Sequence, residues 1–132
     1  MKKILVTPRS FAQYNKKEID TLFAENDIEA EITGKILAED EMIERLQGKD
    51  GLIVGVDEVS TKVLENAPTL KAIAKYGVGV DNIDLDFTKA HNIPVSRTVG
   101  SNSSAVADYA FSLNFIINFV IRGFFVTHGK LH

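Results

Sequence analysis

Short β-rich runs alternate with amphipathic helical patterns along the first 100 residues of the chain. Strands are predicted at residues 3–7, 28–33, 51–54, 70–75 and 93–97, with helices between them at residues 15–25, 38–47, 60–66 and 84–91. Strands and helices that alternate over short connections favour right-handed crossovers and a parallel sheet covered on both faces. The pattern therefore predicts an α/β, flavodoxin-like sandwich.

Several of these predicted elements carry their own start and stop signals. Asn15 and Glu18 have the spacing of a capping pair at the start of the first helix. Gly34 closes the second strand, Gly48 supplies a left-handed stop after the second helix, and Pro68 follows the third helix. These signals fix the approximate boundaries of the elements.

The stretch 103–126 differs from the rest because it is apolar on nearly every side, so we expect it to form a long buried helix. A transmembrane span is the alternative. Against it, Asn114, Asn118 and Arg122 recur every four residues, and an arginine at the middle of a bilayer costs about 2.5 to 3.5 kcal/mol. We therefore divide the chain into a domain of residues 1–100 and a helix with a tail, residues 101–132, and predict no membrane contact.

Composition narrows the class of protein further. The chain has 132 residues, a net charge of −3 and no cysteine. A near-neutral balance gives no basic field to attract nucleic acid, and the lack of cysteine excludes disulfides, thiolate metal sites and cysteine nucleophiles. We expect a cytoplasmic protein that does not bind nucleic acid.

Two glycine-bearing loops follow the third and fourth predicted strands, at residues 55–57 and 77–80. In an open parallel sheet the ligand crevice lies at the carboxyl ends of the strands. The second loop resembles a dinucleotide G-x-G-x-x-G turn, but Asn82 stands where the third glycine belongs. We interpret it as a loop whose backbone N–H groups bind a small carboxylate. The alternative, which the sequence leaves open, is that these glycines serve only tight strand-to-helix turns.

The histidines of the tail offer a different chemistry. His128 and His132 are four residues apart and could place two imidazoles on one helix face as metal ligands. Gly129 lies between them, and no third ligand is evident in the sequence. We therefore expect a frayed tail, no metal site and no catalytic role for either histidine.

Three segments together resemble one protein family. Leu-Lys-Ala-Ile-Ala-Lys-Tyr-Gly-Val-Gly-Val-Asp-Asn-Ile-Asp at residues 70–84, Asn-Ile-Pro-Val at 92–95 and Gly-Ser-Asn-Ser-Ser-Ala-Val-Ala-Asp at 100–108 occur in this order. The chain thus resembles the amino-terminal substrate domain of the D-isomer-specific 2-hydroxyacid dehydrogenases, the phosphoglycerate dehydrogenase-like group. In that family a Rossmann domain follows, which holds NAD and the catalytic Arg, Glu and His.

The resemblance implies a set of substrate-binding residues in this chain. Backbone N–H groups of the second loop would hold the carboxylate of a 2-oxo or 2-hydroxy acid. The set is Gly55, Val56, Lys75, Tyr76, Gly77, Val78, Gly79 and Asn102. Val106 matches a position near the nicotinamide side of the cleft. Asn102 could instead be only a helix N-cap, and Val106 only a core residue.

The same resemblance bears on substrate and assembly. Relatives that handle phosphoglycerate tend to have an arginine where Gly55 stands, which puts that substrate in doubt. The family's long helix packs across a two-fold axis, so we expect a homodimer through residues 103–122. No segment after Gly100 carries the Rossmann glycine fingerprint or an acidic residue about 20 positions after it.

We therefore predict a truncated or partial NAD-dependent D-2-hydroxyacid dehydrogenase that has no catalytic residue of its own and is inactive alone, with NAD not bound by this chain alone. A separate Rossmann-domain chain is a possible partner. The alternative is a stand-alone module that binds a small carboxylate, or regulates in response to it, without catalysis.

Overall fold

Five parallel strands form the central sheet of the protein. A computed structural model describes residues 2–8, 16–75, 81–97, 114–121, 126–127 and 130–131. The strands are β1 (Lys2–Val6), β2 (Ile28–Ile32), β3 (Gly51–Val54), β4 (Ala72–Lys75) and β5 (Val95–Arg97), in the order β2-β1-β3-β4-β5. This parallel sheet confirms the predicted flavodoxin-like α/β fold.

The strand order reverses direction between β1 and β3. After β1 the chain adds β2 on one side, and it then crosses to the other side of β1 to form β3. Loops on either side of such a switch point diverge, which opens a crevice at the carboxyl ends of the strands. Thr7 after β1 and Gly55 after β3 lie at this switch point.

Four helices connect the strands, close to the predicted positions. They are α1 (Lys16–Glu25), α2 (Glu39–Leu46), α3 (Thr61–Glu65) and α4 (Leu85–Ala90). Ser60 caps α3, because its hydroxyl accepts the Val63 N–H at 3.3 Å. Gly34 and Gly48 have φ of 63° and 75°, so the two predicted glycine stops adopt the left-handed conformation. The predicted Asn15–Glu18 capping pair lies outside the described residues and side chains.

Hydrophobic side chains cover both faces of the sheet. On one face Ile4, Val6 and Ile53 pack with Phe23 of α1 and with the segment 114–121. On the other face the core consists mainly of side chains from the sheet and from α2 and α3, among them Leu5, Leu52, Met42, Leu46, Val63 and Leu64. β1 and β3 are covered on both faces, which explains why their sequences are almost continuously apolar.

The long carboxyl-terminal helix is described only in part. Residues 114–116 are α-helical and Ile117–Ile121 form a π-helical turn. The long helix expected from residue 103 is not shown, because residues 98–113 lie outside the described part. Ile116 and Val120 of the described segment are buried against the chain's own sheet, over Gly51.

The predicted frayed tail is wrong for four residues. Val126–Thr127 (β6) pairs antiparallel with Lys130–Leu131 (β7). A two-residue connection between β-prone residues suffices for such a hairpin, and Gly129 lies within it. His128 and His132 lie outside the described residues. Within the part of the chain that the structure describes, no helix is long and apolar enough to cross a membrane.

Candidate functional site

A network of polar groups, most of them buried, lies at the carboxyl ends of β1, β3 and β4. Its members are Thr7, which follows β1, Gly55 and Asp57 in the loop after β3, Lys75 at the end of β4, and Asn82 before α4. These strands are parallel, so their carboxyl ends bring residues far apart in sequence to one edge. The network lies at the carboxyl edge of the sheet, where the sequence predicts the site, and its ligand stays a prediction.

Asp57 is the most connected side chain of this network. Its carboxylate accepts the Thr7 hydroxyl at 2.7 Å and the Leu37 backbone N–H at 2.6 Å. The residue is only 2% exposed. A buried carboxylate is stable only when its oxygens are hydrogen-bonded, and here both oxygens are. Asp57 thus joins the ends of β1 and β3 to the segment that precedes α2.

Lys75 lies at the carboxyl end of β4 with its side chain buried, at 5% exposure. Its ammonium group donates a hydrogen bond to the Gly55 carbonyl. Burial lowers the pKa of Lys75 below its usual value, and the negative charge of Asp57 opposes part of that shift. Among the described residues no carboxylate lies within salt-bridge distance of this ammonium group.

Asn82 binds the same loop from the other side of β4. Its side-chain amide donates to the Gly55 carbonyl at 2.9 Å and to the Asp57 carbonyl at 2.6 Å. Its own backbone carbonyl accepts the Val59 N–H at 2.7 Å. Asn82 therefore holds the segment 55–59 at three points, a larger role than the turn residue that the sequence suggests.

The predicted site residues are only partly covered by the described structure. Gly55, Val56 and Lys75 lie together, with Val56 exposed by 68%. The remaining predicted residues lie outside the described part of the chain: Tyr76, Gly77, Val78, Gly79, Asn102 and Val106. Their proposed contacts with substrate and cofactor stay predictions.

Sequence reasoning missed Thr7 and Asp57 as site residues. Asp57 lies three residues after the end of β3, in the loop that the sequence marks by Gly55, but its burial and its partners gave no local signal. Thr7 gave no such signal either. Its hydroxyl matters because it donates to Asp57 and also accepts the Gly55 N–H at 3.4 Å.

A separate groove of about 580 Å³ lies at the opposite edge of the sheet. It is lined mainly by apolar side chains that precede β4 and β5 or belong to α3 and α4, including Leu64, Leu70 and Phe87. Its titratable lining side chains, Glu65 and His91, are exposed, whereas Lys75 at the carboxyl edge is buried. The polar network, rather than this groove, is the candidate site.

Comparison with known proteins decides the family. The profile of the "D-isomer specific 2-hydroxyacid dehydrogenase, catalytic domain" matches residues 4–130, nearly the whole chain. The chain belongs to this family. The resemblance found in the sequence is thereby confirmed.

Individual relatives agree with the family assignment. The chain is 44% identical over 73 residues to a glyoxylate reductase of Thermococcus litoralis, which covers 54% of this chain and 22% of that protein. It is 35% identical over 89 residues to a hydroxypyruvate reductase of Thermotoga maritima, which covers 67% of this chain and 29% of that protein. The chain thus spans less than a third of the length of these relatives.

Solved structures of the D-isomer-specific 2-hydroxyacid dehydrogenases show the same fold. The 3-phosphoglycerate dehydrogenase of Entamoeba histolytica, solved with NAD⁺ bound, superposes with a TM-score of 0.68 at 27% identity. The superposition covers 99% of this chain and 42% of that chain. The family and this neighbour imply NAD-dependent chemistry.

The described residues that follow the glycine loop, from residue 81 on, differ from those of a dinucleotide-binding turn. In a dinucleotide-binding turn the diphosphate lies at a helix N-terminus, close to bare backbone. Here the Asn82 side chain fills the position of the third glycine, and the Asp84 carboxylate caps α4 by accepting the Phe87 N–H at 3.1 Å. A carboxylate at that end of the helix repels a diphosphate. Among the described residues, 81–84 therefore do not present the bare helix N-terminus that a diphosphate needs.

Proposed function

We propose that this chain forms the substrate-binding part of an NAD-dependent D-2-hydroxyacid dehydrogenase and is inactive alone. In this proposal the carboxylate of a small 2-oxo or 2-hydroxy acid binds at the carboxyl edge of the sheet. The backbone N–H groups of Val78 and Gly79, the flanking Tyr76 and Gly77, and Asn102 contribute as the family resemblance implies.

The observation that supports the proposal best is the buried ammonium group of Lys75. It bonds a neutral carbonyl instead of a carboxylate, and Asp57, whose charge acts on it, already uses both carboxylate oxygens for neutral donors. A cation with little compensating charge, at an edge where loops diverge, favours binding of an anion.

The proposed substrate is a small acid without a phosphate group. Gly55 offers no side chain to pair with a phosphate, whereas arginine is the residue best suited to that task. The relatives named as glyoxylate and hydroxypyruvate reductases are consistent with an unphosphorylated 2-oxo acid. Glyoxylate is therefore the first candidate.

In this proposal, NAD and the catalytic Arg, Glu and His come from residues outside this chain, and the chain alone does not bind NAD. The separate alternative is a carboxylate-binding or regulatory module without catalysis. Binding of a small acid by a chain that does not bind NAD would favour this alternative. A cytoplasmic location accompanies either proposal.

Homodimerisation through residues 103–122 is also part of the proposal. Fewer side chains of this segment are available for an interface than the sequence suggested. The described side chains of Ile116, Ile117, Phe119 and Val120 are buried within the chain itself. These four side chains are therefore not available to an interface between two copies of the chain. Light scattering that finds a well-folded monomer at micromolar concentration would contradict the dimer.

Two measurements on the purified chain test the function. NADH oxidation is followed with glyoxylate and with hydroxypyruvate, and we expect no turnover by the chain alone. Binding of glycolate, the 2-hydroxy form of glyoxylate, is followed by amide NMR with uncharged glycolamide as the control. We expect glycolate to shift amides of the 55–57 loop and glycolamide not to do so. Equal shifts with glycolate and glycolamide would refute the anion site. Steady NADH oxidation would refute the proposal that the chain is inactive alone.

A mixing experiment distinguishes a partial dehydrogenase from a stand-alone binding module. A chain with the family's nucleotide-binding domain, including the Arg, Glu and His, is added to this chain. Restored reduction of glyoxylate would favour the partial dehydrogenase. Glycolate binding without restored hydride transfer would favour the stand-alone module.

A further inference from the structure

The peptide group between Gly55 and Val56 is held in place by two side chains. Its carbonyl oxygen accepts both the Asn82 amide, at 2.9 Å, and the Lys75 ammonium group. Two donors on one carbonyl oxygen use both of its lone pairs. The direction of this carbonyl, toward β4 and Asn82, is therefore fixed.

A fixed carbonyl also fixes the next N–H group. The chain has no cis peptide bond in its described part, and in a trans peptide the N–H points opposite to the C=O. The Val56 N–H is thus directed away from Lys75 and Asn82. Among the described residues it has no hydrogen-bond partner, and the Val56 side chain is 68% exposed.

Asn82 adds a second restraint on the far side of Val56. The two hydrogens of its amide group serve the Gly55 and Asp57 carbonyls, at 2.9 and 2.6 Å. One side chain therefore bridges the two residues that flank Val56. Asp57 is anchored independently through its carboxylate to Thr7 and Leu37. The loop cannot rotate the Val56 peptide without breaking several of these bonds.

We propose that Asn82 and Lys75 are positioning residues that direct the Val56 N–H outward as a donor to the carboxylate of the bound acid. This inference rests on the proposed function, because it assigns one donor and its two supports within the same site. The donor is on the β3 loop, separate from the glycine loop after β4. Lys75 adds a positive charge behind the peptide that it holds, which strengthens the N–H group as a donor to an anion.

The direct test requires no variant. The ¹⁵N-labelled chain is titrated with glycolate, and the Val56 amide proton is expected to move downfield in a saturable manner, as a proton does when it forms a hydrogen bond to an anion. Glycolamide at the same concentrations is expected to leave it unchanged. Glycolate binding that leaves the Val56 amide unmoved would overturn the inference while leaving the proposed function intact.

Variants then test the positioning role. Asn82→Asp keeps the size of the side chain but removes its donors and places a carboxylate against two carbonyls. We expect glycolate affinity to fall about fivefold or more, since a hydrogen bond to a charged group is lost or misaligned. Asn82→His retains one donor, because Nδ1 lies as many bonds from Cα as the asparagine Nδ2, and it should restore part of the affinity.

Asn66→Asp is the matched control. The Asn66 amide donates to the Lys62 carbonyl at 2.8 Å at the end of α3, and it is exposed. This variant should bind glycolate like the wild type. Lys75→Arg, which retains charge and donors, should bind more tightly than Lys75→Met.

These results distinguish failure of the proposed function from failure of the positioning role. If the wild-type chain binds no glycolate, the proposed function and this inference both fail. If Asn82→Asp binds as tightly as Asn66→Asp while remaining folded by amide NMR dispersion, only the positioning role fails. If Asn82→Asp does not fold, the wild-type Val56 titration alone decides the inference.

Discussion

Removal of the Asp57 carboxylate is predicted to destabilise the protein more than removal of an exposed aspartate. Asp57→Ala leaves the Thr7 hydroxyl and the Leu37 N–H without their acceptor, and these residues are 1% and 3% exposed. An unsatisfied buried donor costs about 1–3 kcal/mol. Two such donors give an expected loss of about 2–6 kcal/mol in the free energy of unfolding.

Asp57→Asn separates hydrogen bonding from charge. The asparagine oxygen can accept the Leu37 N–H, and its amide can donate to the Thr7 hydroxyl, so both neighbours keep a partner. The charge assistance of the two bonds is lost and the Thr7 hydroxyl proton loses its acceptor, so we expect a cost of about 1–3 kcal/mol. The difference in the free energy of unfolding between Asp57→Ala and Asp57→Asn measures how much of the stability comes from hydrogen-bonded donors.

Urea unfolding followed by circular dichroism at neutral pH measures both variants. Asp20→Ala, at an exposed position of α1, serves as the control and should change the free energy of unfolding by less than about 0.5 kcal/mol. If Asp57→Ala costs no more than Asp20→Ala, the buried network does not stabilise the loops. If Asp57→Asn costs as much as Asp57→Ala, charge rather than donor satisfaction holds the site together.

The same variant predicts a change at Lys75. Burial lowers the pKa of Lys75, and Asp57 opposes that shift. Asp57→Asn should therefore lower the pKa of Lys75 further, which NMR of the lysine side chain can follow. Because the folded-state pKa lies below the unfolded value, the free energy of unfolding should rise with pH between the two values. A pKa of Lys75 that Asp57→Asn leaves unchanged would show that the two groups do not interact.

Two predictions concern the rest of the fold. Gly51→Ala would place a Cβ 3.0 Å from a methyl carbon of Val120, so it should cost about 1–3 kcal/mol in urea unfolding, and a neutral effect would show that segment 114–121 does not pack there. The hydroxyl of Thr61, and then the Phe87 N–H, hold the pKa of Asp84 below its usual value. Stability from this group is present above the ordinary carboxyl pKa and falls as pH drops through the lowered one. Thr61→Val should raise the pKa of Asp84 measured by carbonyl NMR, and an unchanged value would exclude the hydroxyl as the cause.

Periodicity in the sequence was sufficient for the sheet and its helices. Buried parallel strands are short apolar runs, and here each is bounded by a proline, a glycine or a helix cap that the sequence displays. The tail shows the limit of that approach. Val126–Thr127 and Lys130–Leu131 are too short to give a periodic signal, although they pair in the structure. Likewise, the burial of Ile116 and Val120 over Gly51 depends on tertiary packing.

The candidate site shows why local sequence could locate chemistry without explaining it. The loops after β3 and β4 were predictable because glycines follow two buried strands. The bonds from Asn82 to the Gly55 and Asp57 carbonyls join residues 27 and 25 positions apart, and they exist only in the observed register of β3 and β4. From the sequence, Asn82 marks the loss of a third glycine and so of a diphosphate site. In the structure the same side chain binds the neighbouring loop. One residue thus accounts both for the poor fit to a dinucleotide and for the ordered loop that we propose receives the acid.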